Sequence, residues 1–361
     1  MLVVKDPNFL TLPAGVGGLF EQAAEESFFS SAGWYDLLAR FGLGPGQQVR
    51  LYVDGDVQAQ LALVTQESKS EAVKGSRILH SLTNAYSCEH RIILRAGVDR
   101  ATALQDLADH LAAESPAWHR IMLAGFDPAE PAVAALAGAL RNAGMAVKPF
   151  FDSGTWYEPT AGISFADYVA DRPSVLRNTW RRKAGKLERS GQAQLRYYDT
   201  SDDIEKGIAD YQSVYANSWK PEEGFPSFMP ELIRMAARMG ALRMGILHFE
   251  ERPAAAQFWI VWRGRACIYK LAHDKRVDDH SFGTILTMRM MERVLEQDKP
   301  IEVNFGRGDD AYKKLWLSKR RERWGLAAAN MRTLRGFGHA LRQTAATLAA
   351  PLRPGQPHSP F

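Results

Sequence analysis

The sequence predicts an α/β fold with a mixed α+β sheet, divided between two domains. Three observations lead there. Runs with an apolar residue at every second position alternate with runs in which apolar residues recur every three to four. At 361 residues the chain exceeds the usual span of one core. The two halves also share an order of elements (helix, strand hairpin, further strand, helix, strand, helix, strand) without repeating the residues themselves. Hairpins feeding into strand–helix–strand steps build a mixed sheet.

The elements follow in chain order. FFSSAGWYDLLARF, 28–41, reads as a Ser-capped start and an amphipathic helix. VRLYVDGDVQAQLALVTQE holds two strands joined by Asp54-Gly55-Asp56, a hairpin signal. RILHSLTN and HRIILRAG extend the strands; a helix at 101–113, the strand HRIMLAGF, a helix at 129–143 and the strand MAVKPFF follow. Residues 152–173 lose periodicity around Gly154, Pro159, Gly162 and Pro173 and are expected to be a linker. The first domain is therefore placed at 1–151 and the second at 174–330. The second opens with the basic helix SVLRNTWRRKAGKLERSG, ending at Gly191. After it come the strand AQLRYYD, helices at 203–219 and 228–239, and the strands LRMGILHFEE, AAAQFWIVW and ACIYKLAHD. FGTILTMRMMERVLEQ reads as a mostly buried helix, IEVNF as a strand, AYKKLW as the start of a helix, and RWGLAAAN as a last strand.

Composition narrows the class. Apolar residues make up 46 % and charged residues 24 %, as in a globular protein. Cys88 and Cys267 stand in neither a CxxC nor a Cys/His spacing, which argues against a disulfide framework and a zinc site. The start MLVVKDPNFLTLPAG lacks a basic segment followed by an apolar run, and no stretch approaches the roughly 18–20 apolar residues of a spanning helix. The expected location is the cytoplasm. Residues 331–361 carry Arg332, Arg335, Arg342 and Arg353 and no acid, which accounts for the whole net charge of +4. A charge confined to a tail predicts no specific nucleic-acid partner. Within that tail, 331–350 reads as a basic amphipathic helix able to rest weakly on a membrane surface, and PLRPGQPHSPF as disordered.

Four stretches of the second half, LRNTWRRKAGKLERSG, YKLAHD, HSFGTILTMRMME and NFGRGDDAYKKLW, resemble the Gcn5-related N-acetyltransferase (GNAT) superfamily. The closest resemblance is to its exopolysaccharide- and cellulose-associated branch (BioF2-like, CelD-like), related to the Fem-type aminoacyl transferases. FFSSAGWYDLL and LHSLTNAYS extend a weaker resemblance into the first half. The resemblance implies two tandem GNAT-like domains in a Fem-like architecture, the first structural and the second active. It implies transfer of an acyl group from acyl-CoA, acetyl-CoA among them, to an amine or hydroxyl, with an amino sugar of a polysaccharide precursor as the expected acceptor. Two alternatives stay open: Fem-type transfer from aminoacyl-tRNA, and a non-catalytic scaffold of polysaccharide synthesis.

The resemblance also assigns residues. His280, Ser281, Gly283 and Thr284 align with the loop whose backbone N–H groups hold the donor pyrophosphate, and helix N-termini suit anions. This chain keeps the first glycine of that pattern and has Ile285 at the second. Tyr312 corresponds to a tyrosine that protonates the departing thiolate, and Lys313 to a lysine that stabilises charge on the transition state. Asp274, at the end of a strand, is a candidate proton acceptor or a cap of the following loop. Arg177 and Arg181, four apart, share a helix side and are candidates for gripping an anionic ligand, against the plainer reading of a solvated face. Asp309 is a candidate substrate contact, although Asp309 and Asp310 also stand where helix caps belong. No metal site is expected.

Overall fold

The computed structural model describes residues 2–67, 75–200 and 203–349. These fall into two compact units, Met1–Gly154 with Glu322–Phe361, and Thr155–Arg321. In chain order the elements are β1 (Leu2–Lys5), α1 (Ala14–Glu26), α2 (Ala32–Phe41), β2 (Val49–Val53), β3 (Ala59–Glu67), β4 (Arg77–Ser81) and β5 (Ile93–Leu94). Then come α3 (Arg100–Ala113), β6 (Arg120–Phe126), α4 (Pro131–Asn142), β7 (Met145–Pro159), α5 (Phe165–Ala170), α6 (Ser174–Ser190), β8 (Ala193–Tyr197), α7 (Ile204–Ala216) and α8 (Phe228–Arg238). The last are β9 (Leu242–Phe249), β10 (Arg252–Trp262), β11 (Arg265–His273), α9 (Phe282–Arg293), β12 (Glu302–Asn304), β13 (Lys319–Asn330) and α10 (Leu334–Ala349). The mixed α/β character predicted from periodicity is present.

In the first unit the strand order is β1-β2-β3-β4-β6-β13, with β5 beside β3. Pairing is antiparallel except for β4 with β6. Local chemistry sets the turns. Ser31 Oγ accepts the Trp34 N–H at 3.2 Å and starts α2. Asp54 Oδ1 accepts the N–H groups of Gln58 and Ala59 at 2.5 and 2.8 Å and closes the β2–β3 hairpin. The core lies between the sheet and two helices, where Leu104, Leu107 and Leu111 of α3 and Leu136 and Leu140 of α4 meet Leu79, Ile121 and Leu123.

The second unit has its own sheet in the order β12-β11-β10-β9-β8, with Tyr157–Pro159 of β7 beside β12. Only β11 and β12 run parallel there. Such a pair cannot be joined by a hairpin, so α9 makes the crossover. Its apolar side (Ile285, Leu286, Met290, Met291) packs into a core with Trp259, Ile268 and Val303.

Several expectations change. The stretch 152–173 is not an unstructured linker, because β7 runs through it to Pro159 and a Ser164/Asp167 capping box starts α5. Gly154 and Pro159 lie within and at the end of β7, Gly162 takes φ 73° in the turn that follows, and Pro173 is the N-cap of α6. β13 begins at Lys319, earlier than RWGLAAAN, and belongs from Glu322 onward to the first unit. AYKKLW makes only a short 3₁₀ turn, Ala311–Leu315. β1 and α1 were not legible, since Gly15, Gly17 and Gly18 argue against a helix that packing of Val16, Leu19 and Phe20 nonetheless supports. The predicted tail helix is α10, exposing Leu334, Phe337 and Leu341. PLRPGQPHSPF lies outside the described residues. Among those residues no helix is long and apolar enough to cross a membrane.

Two glycines give opposite predictions. A Cβ on Gly325 of β13 would lie 2.2 Å from Phe150 Cζ and 2.4 Å from Leu123 O, whereas one on Gly138 of α4 meets nothing within 4 Å. Gly325→Ala is expected to cost about 1–3 kcal/mol or more by overpacking. Gly138→Ala is expected to gain about 0.5–1 kcal/mol. Denaturant unfolding midpoints check both.

Candidate functional site

β11 and β12 pair over only three positions, Arg265–Cys267 with Glu302–Asn304. Beyond Cys267 and Asn304 they diverge. β11 continues to His273 against β10, with a bulge that places Tyr269 between the pairs Trp259–Ile268 and Phe258–Lys270. Bulges bend a strand and re-aim its side chains. β12 instead enters the turn Phe305–Asp310, where the Phe305 N–H bonds to Trp156 O at 3.0 Å and Asn304 Oδ1 accepts the Gly306 N–H at 3.0 Å. Gly306 (φ 57°) and Gly308 (φ 110°) supply backbone that other residues rarely adopt. The result is an open split in the sheet.

Its two faces carry different groups. Gln257 and Leu271 are ladder partners, and Gln257 Nε2 donates to Gly283 O at 3.3 Å and to Thr287 Oγ1, so that face carries α9. Phe258 and Lys270 are the next partners. Phe258 packs on Tyr211 of α7 (5.5 Å between centroids) and Lys270 Nζ lies 5.7 Å from the Tyr215 ring, so the opposite face carries α7.

On the α9 face, the backbone N–H groups of Phe282, Gly283 and Thr284 have no hydrogen-bond partner among the described residues. Ser281 precedes them at φ 59° with no side-chain cap, and Thr284 is half-buried in the first turn. Gln257 and Thr287 hold the Gly283 carbonyl, Thr287 at 2.8 Å, which fixes this turn from below. Gly283 lies under His273, since a Cβ there would sit 3.1 Å from Nδ1. Ile285, at the second glycine position, is buried and turned into the core. His280 is wedged between Phe249 and Phe282, with both centroids at 4.9 Å, so it acts as packing. Before this turn, Lys183 Nζ donates to the Asp279 carbonyl.

The remaining predicted residues are engaged elsewhere. Arg177 Nη1 reaches Ala170 O at 3.4 Å, at the end of α5, and Arg181 is exposed. Arg177 Nε is buried without a hydrogen-bond partner among the described residues. Both Asp274 carboxylate oxygens bind Arg276, and Oδ1 also caps the Arg276 N–H at 2.9 Å. The Arg276 guanidinium holds this carboxyl below the usual range, which makes it a weak proton acceptor. Asp309 accepts Trp156 Nε1 and Arg320 Nε, each at 2.8 Å, and Arg320 holds its pKa down; it locks the turn instead of facing a ligand. Asp310 occupies the N-cap position without a side-chain cap bond.

Lys313 is turned away from solvent and toward the turn that precedes it. It is buried, with Nζ 3.0 Å from the carbonyls of Arg307 and Gly308, 3.4 Å from Phe305 O and 3.3 Å from Asp310 Oδ2. Those contacts occupy its three donors, so it holds the turn's shape. Tyr312 is 42 % exposed and meets Phe305 edge-on at 5.9 Å. Partial burial, with the Asp310 carboxylate adding to it, pushes its phenol up to about 12, so it stays protonated at neutral pH. Just after the turn, buried Arg172 binds Glu158 (3.0 Å) and Trp316 O (2.6 Å), while Glu158 accepts the Ser318 N–H (2.7 Å) and hydroxyl (2.9 Å).

On the α7 face, Lys270 pairs with Glu223 at 2.9 Å beside a cavity of about 340 Å³ that includes Lys220. Sequence reading passed over Lys220, because a lone lysine in a loop carries no pattern. Among the described residues no group of three His, Cys, Asp or Glu side chains is placed to hold a metal.

Residues 174–314 match the family model described as the acetyltransferase (GNAT) domain. No curated protein sequence matches the chain. Among solved structures, FemX has a TM-score of 0.57 at 9 % identity, over 90 % of this chain and 97 % of that one. L-PGS from Bacillus licheniformis gives 0.52 at 10 %, over 92 % and 96 %. A tandem GNAT protein from the clavulanic acid biosynthesis pathway gives 0.50 at 14 %, over 91 % and 98 %. At these identities the fold is what is shared, a mixed α/β fold of two GNAT-like domains.

Removing one partner of the buried pair leaves an uncompensated charge. Arg172→Met is expected to cost about 3–5 kcal/mol, and adding Glu158→Gln to recover part of it. Equal stability of single and double variants in urea would show that the pair is not coupled.

Proposed function

We propose that the chain is an acyltransferase that moves an acyl group from acyl-CoA to an amine or hydroxyl acceptor, an amino sugar of a polysaccharide precursor being the expected class. The open split between β11 and β12 carries this reading, within the stretch that matches the GNAT domain. A sheet with all its strands paired would wall off a ligand on one face from a ligand on the other. Here the two faces communicate.

In this reading the free N–H groups of Phe282, Gly283 and Thr284 receive the donor's pyrophosphate, where three donors and the helix dipole favour an anion. The inward-turned Ile285 leaves that approach clear. The acyl carbon lies in the split. Attack by the acceptor's nitrogen or oxygen forms the new bond, the carbon–sulfur bond breaks, protonated Tyr312 at the turn supplies the thiolate's proton, and the proton released by the acceptor restores the Tyr312 phenol. Lys313 acts through the turn that it shapes. Neither Asp274 nor Asp309 is required to take a proton. The setting is cytoplasmic, the acceptor is a small molecule or sugar, and α10 adds at most a weak contact with an anionic membrane surface.

Calorimetric titration with acetyl-CoA and longer acyl-CoAs is expected to show saturable binding. Gly283→Val, which drives a side chain against His273, is expected to weaken it about tenfold or more. Tyr312→Phe is expected to slow turnover by about 10²–10⁴-fold while leaving donor affinity intact. No binding of any acyl-CoA, with turnover of a charged tRNA and a peptide or peptidoglycan acceptor, would move the assignment to Fem-type aminoacyl transfer.

For the tail, sedimentation with vesicles of phosphatidylglycerol is expected to carry down a small fraction of the protein. Leu334→Asp with Leu341→Asp should abolish it, and pelleting equal to that with phosphatidylcholine would exclude membrane contact.

A further inference from the structure

The cavity on the α7 face is lined by Tyr211, Tyr215, Lys220, Glu222, Glu223 and Met229, among others. Its walls are mostly aromatic and apolar, with the two tyrosine rings 5.8 Å apart and tilted. The charged groups around it are not all paired. Lys270 of β11 is matched by Glu223, and Lys313 by Asp310 at 3.3 Å. Glu222 is exposed to solvent. Lys220 stands apart. Its Nζ lies 5.7 Å from the Trp219 ring and makes no hydrogen bond or ion pair among the described residues. A half-buried ammonium without a counter-ion is unfavourable. The consequence is visible in its acidity. Burial first, then Lys270 and Lys313, outweigh Glu223 and Asp310 and lower Lys220 to about 8. Among the described residues Lys220 is the one cation lining this cavity, and its ammonium is left without a partner.

We propose that the cavity binds a small anionic ligand, a carboxylate or phosphate ester carried on a ring, with Lys220 meeting the anion and Tyr211 and Tyr215 flanking the ring. Resting on the acyl-transfer reading, this ligand is the acceptor, so the acceptor is anionic. Three features of the site agree. The cavity is on the face opposite the free N–H groups of α9, so donor and acceptor approach from opposite sides. Its size suits one sugar or comparable ring. Trp219 packs on His273 with the rings tilted (4.5 Å between centroids), and His273 covers Gly283, which ties the cavity's loop to the first turn of α9.

The test uses the full chain without donor and pairs of probes differing in one charge: glucosamine against glucosamine 6-phosphate, and glucose against glucuronate. The charged member is expected to bind about tenfold or more tightly by calorimetry. Lys220→Gln should erase that preference, while Lys275→Gln, on an exposed lysine, should keep it. The preference should also fade as pH rises past 8, when Lys220 loses its proton. Reductive ¹³C-methylation gives an independent readout: inorganic phosphate should shift the Lys220 resonance and raise its titration midpoint.

Equal binding of charged and uncharged probes, an unchanged preference in Lys220→Gln, or a Lys220 resonance indifferent to phosphate and every probe would each overturn the proposal. Its failure is separable from that of the acyl-transfer reading. Acyl-CoA binding without charge preference removes only the anionic acceptor. Charge preference without acyl-CoA binding leaves an anion site and removes the acyl-CoA reading.

Discussion

The second unit is organised by a ladder that stops early. β11 and β12 share three parallel pairs and then separate. Everything assigned to the site is arranged around that separation: the first turn of α9 on one face, the Lys220 cavity on the other, and the Tyr312 turn at the edge. Strand separation exposes backbone that would otherwise be paired, and it must be held open by interactions elsewhere. Here they lie in the turn after β12, where two glycines with positive φ bend the chain and the Lys313 ammonium gathers its carbonyls.

Buried charges serve that geometry more than they serve stability. Removing Lys313 or Arg172 from water carries a desolvation cost that their partners largely offset, so neither group is a strong net stabiliser. What they add is definition. Lys313 permits one arrangement of Phe305–Gly308, and the Arg172–Glu158 pair anchors Trp316–Ser318 immediately beyond it. Tyr312, between these two anchors, has a backbone held from both sides and a partly buried phenol that stays protonated at neutral pH. That combination suits a proton donor.

The first unit treats the corresponding place differently. β4 and β6 also pair in parallel over three positions, Ile78–His80 with Arg120–Met122. Beyond them the gap is filled. Ser81 Oγ accepts the Ala124 N–H at 2.7 Å, and the His90 N–H reaches Gly125 O at 2.9 Å. Gly125 has φ 86°, and a Cβ there would stand 3.0 Å from the His90 nitrogen. The His90 ring is buried among Tyr35 and Phe126, and burial lowers its pKa to about 3, so it stays neutral. A closed gap leaves no room there for two ligands to meet.

The sequence alone determined what local patterns encode. Alternation and helical periodicity placed most strands and helices, Asp54-Gly55-Asp56 marked the hairpin, Ser31 the start of α2, and Gly191 (φ 64°) the end of α6. The order of these elements was enough for the two-part mixed α/β fold, while the turn beginning α9 was singled out by the resemblance. Tertiary structure alone decided which charged side chains were available. Asp274, Asp309, Arg177 and Lys313 have the residue types for chemistry, yet each is engaged by a partner, some of them distant in sequence. Lys220 carries no motif and lies beside an aromatic cavity without a counter-ion among the described residues. The physical reason is range: propensity and capping act within a few residues, whereas burial and ion pairing depend on whichever segments the fold brings together.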